Sequence, residues 1–134
     1  MECRLSSASG PWSCQVSIRW EFDEYGNRLE KVHEELFGDV ISQPEEVEVM
    51  LRRAQAAVLN PAKGVAWFLE AHIEELKSGI GSLLFSRNIV CVDLEGPDLT
   101  DLSFIDLPGK LLSCNLKFLS DTMRYYQVLY RMQR

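Results

Sequence analysis

Phe85-Ser86-Arg87-Asn88-Ile89-Val90-Cys91-Val92-Asp93-Leu94-Glu95-Gly96-Pro97-Asp98-Leu99-Thr100-Asp101-Leu102-Ser103-Phe104-Ile105-Asp106-Leu107-Pro108-Gly109 is the stretch on which the fold turns. Ile89 to Leu94 is apolar and β-branched without alternation, which predicts a strand covered on both faces. Glu95-Gly96-Pro97-Asp98 reads as a turn, and Leu102-Ser103-Phe104-Ile105-Asp106 as a second short apolar strand. The short turn between the two runs predicts that strands near 88–94 and 102–106 are both buried and lie side by side.

Upstream, Val16, Ile18, Trp20 and Phe22 alternate with Gln15, Ser17, Arg19 and Glu21, the pattern of a half-buried strand over 14–23. Glu24-Tyr25-Gly26-Asn27 is a turn, and the chain returns through Leu29, Val32, Leu36 and Phe37. That return fits either the second leg of a hairpin or irregular chain. Ser42 and Glu45 have the spacing of a capping box, Pro44 suits a first helical turn, and Val47, Met50, Leu51, Ala54 and Val58 recur at helical spacing. A helix over about 43–59 is expected, stopped by Asn60-Pro61. A second helical pattern, Val65, Phe68, Leu69, Ile73 and Leu76, runs to Ser78-Gly79, with Glu70, Glu74 and Glu75 as its solvated face. The implied fold class is α/β, with at least one helix on a face of the sheet.

The 134 residues suit one small domain, with 46% hydrophobic and 25% charged residues, which argues against wholesale disorder. A formal net charge of −6 excludes a nucleic-acid module working through bulk positive charge. No apolar run reaches the roughly 18 residues of a membrane-spanning helix, and Met1-Glu2-Cys3-Arg4 does not resemble a secretory signal, so a cytoplasmic location is expected. Cys3, Cys14, Cys91 and Cys114 lack CxxC spacing and read as free thiols; His33 and His72 stand far apart, and His72 reads as a helix-face residue rather than a zinc ligand. A calcium loop drawn from Asp93, Glu95, Asp98, Asp101 and Asp106 does not fit the required ligand spacing. Charge is unevenly spread: residues 110–134 carry +4 and residues 1–109 carry −10, the sign changing after Gly109.

The sequence of 85–109 resembles the dynamin superfamily, in which one core strand leads through a turn into a second that delivers Asp-Leu-Pro-Gly, here Asp106-Leu107-Pro108-Gly109. Cys3-Arg4-Leu5, the strand from Cys14 to Asp23, and Leu51-Arg52-Arg53-Ala54-Gln55-Ala56-Ala57-Val58-Leu59-Asn60-Pro61 are similar to the matching region of fungal dynamin-like GTPases. The resemblance covers 1–109 and implies a partial P-loop GTPase fold, a dynamin-type G domain ending at its DxxG switch. It implies that Asp106 holds Mg²⁺ through a water, because Mg²⁺ retains much of its hydration shell, and that the Gly109 amide contacts the γ-phosphate of GTP. It also implies GTP hydrolysis coupled to self-association and to membrane or cytoskeletal partners.

The 134 residues contain no Gly-x-x-x-x-Gly-Lys-Ser/Thr cradle and no Thr/Asn-Lys-x-Asp element for guanine; Gly79-Ile80-Gly81 lacks the following lysine. The expectation is therefore a fragment of a GTPase, inactive by itself. The alternative is a non-catalytic interaction module, or degenerate fragment, that retains part of the scaffold. Residues 110–134 depart from the family pattern and read as a divergent basic tail. A basic amphipathic helix, touching an acidic partner or anionic lipid, is the functional reading of that tail; the abruptness of the change favours instead non-homologous sequence added by a truncated or misassembled reading frame.

Overall fold

The computed structural model describes residues 1–76 and 83–105. Five strands form one mixed sheet: β1 (Glu2–Ser7), β2 (Ser13–Phe22), β3 (Arg28–Leu36), β4 (Ile89–Gly96) and β5 (Leu102–Ile105), in the order β3-β2-β4-β1-β5. β4 runs parallel to β1 and antiparallel to β2, while β2–β3 and β1–β5 are antiparallel pairs. The architecture is mixed α and β, as the sequence patterns imply.

The alternation in β2 sorts its residues by face. Cys14, Val16 and Ile18 are buried toward α1 (Pro44–Leu59), together with Cys3 and Leu5 of β1 and Val90, Val92 and Leu94 of β4. The helix presents Val47, Leu51, Ala54, Ala57 and Val58 to this layer, apolar residues at three- and four-residue spacing that form one stripe. Burying that stripe against the sheet is what stabilises a 16-residue helix of otherwise polar character. The return leg through Val32 and Leu36 is strand β3, so the hairpin is formed, with Gly26 at φ 82° in its turn. Gly38, at φ 75°, swings the chain from β3 under the helix; a Cβ there would meet the Met50 methyl at 3.0 Å. The chain then touches β2 once more, through reciprocal 2.8 Å backbone hydrogen bonds between Cys14 and Ile41.

Three expectations require correction. The strands at 88–94 and 102–106 are not neighbours, because β1 lies between β4 and β5. Glu2-Cys3-Arg4-Leu5-Ser6 itself alternates and fits the slot, with Cys3 beside Val92 and Leu5 beside Leu94. Nor is β5 buried: among the described strands it lies at the edge of the sheet, with Leu102 and Ile105 at 54% and 64% exposure and Phe104 partly covered. The Ser42–Glu45 capping box is also not formed. Gln43 is the N-cap and makes no side-chain cap bond, since Pro44 at the first helical position sets the helix start one residue later than the box requires. Finally, the pattern over 65–76 breaks in two, α2 (Val65–Glu70) and α3 (Ile73–Leu76), because Ala71 adopts an extended conformation at ψ 139°. His72 then stands exposed at the start of α3, where its amide donates to Glu75 Oε2 at 3.0 Å.

Candidate functional site

Strand β5 ends at Ile105, so Asp106 follows directly on a strand. Asp106 and Gly109, the residues expected to hold Mg²⁺ and phosphate, lie outside the described residues, as do Gly79-Ile80-Gly81 and residues 110–134.

On the sheet face away from α1, the strands bring together a charged network. Arg4 Nη2 donates to Asp93 Oδ2 and to Glu34 Oε1, each at 2.9 Å; its Nε lies 2.6 Å from Asp93 Oδ1 without the alignment of a hydrogen bond. Arg19 donates to Glu2 at 2.8 Å and approaches Glu34 at 3.5 Å. Ser17 Oγ donates to Glu34 at 2.6 Å. Given the strand order, the Arg19–Glu2 pair spans from β2 to β1 over β4, and the Arg4–Glu34 pair spans from β1 to β3.

This face is chemically quiet. The hydrogen bond from Ser17, followed by the hydrogen bond and charge of Arg4 and the charge of Arg19, holds the Glu34 carboxyl below its usual range. An acid stabilised as its anion by two guanidiniums is a poor general base at neutral pH. Both arginines are pushed further up, Arg4 by Glu34 and Asp93 and Arg19 first by Glu2, despite the desolvation that opposes this.

The buried thiols are equally inert: burial, with Asp93 adding to it, raises Cys3 to about 11, and burial raises Cys14 to about 12. Cys91 is also raised, first by burial. Of the acids in the 93–101 segment, Asp93 is tied to Arg4 and Asp101 accepts the Ser7 amide at 2.7 Å. Among the described residues no three His, Cys, Asp or Glu side chains are grouped to hold a metal ion.

An open depression of about 240 Å³ lies between α1 and α3, with Leu59, Ile73 and Leu76 on its apolar side and Arg52 and Asn60 on its polar side. Two of its polar groups are already engaged: Arg52 donates to Glu48 at 2.7 Å and Asn60 Nδ2 to the Ala56 carbonyl at 2.8 Å. The Arg4–Glu34–Asp93 network was not visible as a cluster in the sequence, because its members are far apart in the chain. The only signal is the alternation of residues 2–6 beside that of 14–22, which puts Arg4 and Arg19 on one face once both segments are strands. No family model, curated protein or solved structure matches the chain.

Proposed function

We propose that residues 1–109 are the middle of a dynamin-type G domain, a partial P-loop GTPase fold whose complete form binds and hydrolyses GTP with Mg²⁺ in the cytoplasm. The observation that carries this reading is the sequence from Phe85 to Gly109, in which a strand runs up to Asp106-Leu107-Pro108-Gly109. An aspartate at a strand tip suits a water-mediated Mg²⁺ contact, and a glycine three residues on lets a backbone amide approach a terminal phosphate. In a complete domain Asp106 and Gly109 take these roles. The placement of β1 between β4 and β5 differs from the side-by-side pairing that the resemblance implies, so the reading rests on the motif and not on the topology.

The residues present do not fit a nucleotide by themselves. Phosphate affinity in this class comes mainly from a glycine-rich amide cradle and its lysine, and neither occurs in the 134 residues. One carboxylate and one glycine amide cannot hold GTP against water. The chain alone is accordingly inactive, and self-association or contact with a membrane or cytoskeleton belongs to the longer protein.

Two measurements test this. Titration of the purified chain with a fluorescent GTP analogue, with and without Mg²⁺, is expected to show no saturable binding. In the reading frame extended to include an upstream cradle and a downstream guanine element, Asp106→Ala is expected to abolish Mg²⁺-dependent hydrolysis. Guanine-specific micromolar binding by the chain alone would refute the fragment reading. Undiminished turnover by the extended mutant would refute the role of Asp106, whereas no turnover by the unmutated extended protein would favour a non-catalytic module.

A further inference from the structure

β1 and β2 follow one another in the chain and run antiparallel, joined only by residues 8–12, yet they do not pair. Consecutive strands with so short a connection ordinarily lie side by side. Here β4, which comes much later in the chain, is wedged between them. The connection passes over the end of β4, where the Ala8 amide donates to the Gly96 carbonyl at 3.0 Å and the Ser7 amide to Asp101 Oδ1 at 2.7 Å.

Each of the two parted strands carries a buried cysteine on the helix-covered face. Cys3 lies beside Val92 and Cys14 beside Leu94, on opposite sides of β4. Two strand spacings, about 9.5 Å, separate β1 from β2, whereas cysteines whose Cα atoms are more than about 7 Å apart cannot be bridged. We propose that Cys3 and Cys14 form a redox switch built around β4: their disulfide and the insertion of β4 between β1 and β2 exclude one another.

With β4 withdrawn, β1 and β2 can close on their short connection, in which Gly10-Pro11 supplies turn residues. The registers of both strands with β4 set Cys3 level with Val16, and Leu5 level with Cys14. A slide of two residues keeps every side chain on its face and sets Cys3 opposite Cys14, within disulfide reach. The oxidant is a small disulfide of the glutathione type. One cysteine thiolate attacks it, forming a mixed disulfide and releasing one small thiol; the other cysteine then displaces the second small thiol as the protein disulfide forms. Two protein thiols are oxidised, the reagent disulfide is reduced to two thiols, and the two cysteine protons pass through solvent to the departing thiolates. The folded sheet keeps the two thiols apart and away from the oxidant, so the exchange runs only from the opened state. Nothing in this switch depends on nucleotide binding.

The test uses the full chain carrying Cys91→Ser and Cys114→Ser, so that one disulfide is possible within a molecule. Oxidised glutathione is added either in urea or after refolding, and peptide mass spectrometry reads the product. The unfolded chain is expected to form the Cys3–Cys14 bond at least ~10-fold faster than the folded chain. Returned to buffer, the oxidised chain is expected to exchange its β4 amides, 89–96, at the rate of an unfolded peptide, and added reductant to restore their protection. Amide exchange on the unmodified, reduced chain needs no variant and sets the reference: 89–96 are expected to exchange at least ~10-fold more slowly than in an unfolded peptide. Protection of β4 in the disulfide-bonded chain equal to that reference would overturn the switch. So would equal rates of bond formation in the folded and unfolded chains, or protection that reductant fails to restore.

Discussion

Asn88 shows how one side chain can fix a junction in the sheet. Its Oδ1 accepts the amides of Glu21 and Phe22, both at 2.9 Å, and its Nδ2 donates to the Phe22 carbonyl at 3.1 Å. These bonds satisfy backbone groups at the point where the β2–β3 register shifts between Trp20 and Phe22. Asn88→Ala leaves those groups unpaired in a largely dry setting, and a loss of about 2 kcal/mol is expected in urea unfolding. Nothing local in the sequence marks Asn88 for this role, since its partner lies 66 residues away. Glu34 supplies the second residue-level expectation. Its folded-state pKa lies below the ordinary 4.5, so its contribution is present above that value and is lost as pH falls through the lowered one. Glu34→Gln should therefore flatten the decline of stability on acidification below about pH 4.5, and at neutral pH should cost no more than about 1 kcal/mol for a partly exposed ion pair.

At the scale of the element, α1 separates what periodicity reveals from what it conceals. Its apolar spacing and its stop at Asn60 were legible, because a stripe facing one sheet imposes a 3.6-residue period wherever the helix lies. Its start was not, because Ser42 and Glu45 satisfy the spacing of a capping box while Pro44 governs where the helix begins. The consequence is measurable. Ser42→Ala should change stability by less than about 0.5 kcal/mol, whereas a true box would lose about 1 kcal/mol. Replacing Gln43, which makes no side-chain cap bond, with Asp should stabilise the protein by up to about 1 kcal/mol, through a side-chain acceptor and a negative charge at the helix start. Chemical denaturation of both variants checks the pair. β1 is the opposite case: the alternation of its six residues is too short to mark a strand by itself, so the element that occupies the position between β4 and β5 is not among the strands that the sequence predicts.

At the scale of the whole molecule, the described residues give the sheet one face covered by α1 and a second covered by paired charges, and the cysteines record the difference. Cys3 and Cys14 lie on the helix side; Cys91 lies on the charged side, yet it is as fully buried as they are. What covers Cys91 is the Arg19–Glu2 pair that spans β4, with Arg4 and Glu34 beyond it. Burial is the main cause of the raised pKa of Cys3, Cys14 and Cys91, so in the folded chain each should react slowly with a thiol reagent at neutral pH. The two kinds of cover fail differently. A helix packed by Val47, Leu51 and Ala54 opens only when the core opens, while two arginines can be removed singly. Arg19→Ala should therefore speed labelling of Cys91 by about tenfold or more while leaving Cys3 and Cys14 at the rate set by global unfolding. Mass spectrometry of the labelled peptides distinguishes the sites. Equal acceleration at all three cysteines would mean that the charged face holds the fold together as a unit; no acceleration at Cys91 would mean that Arg19 does not cover it.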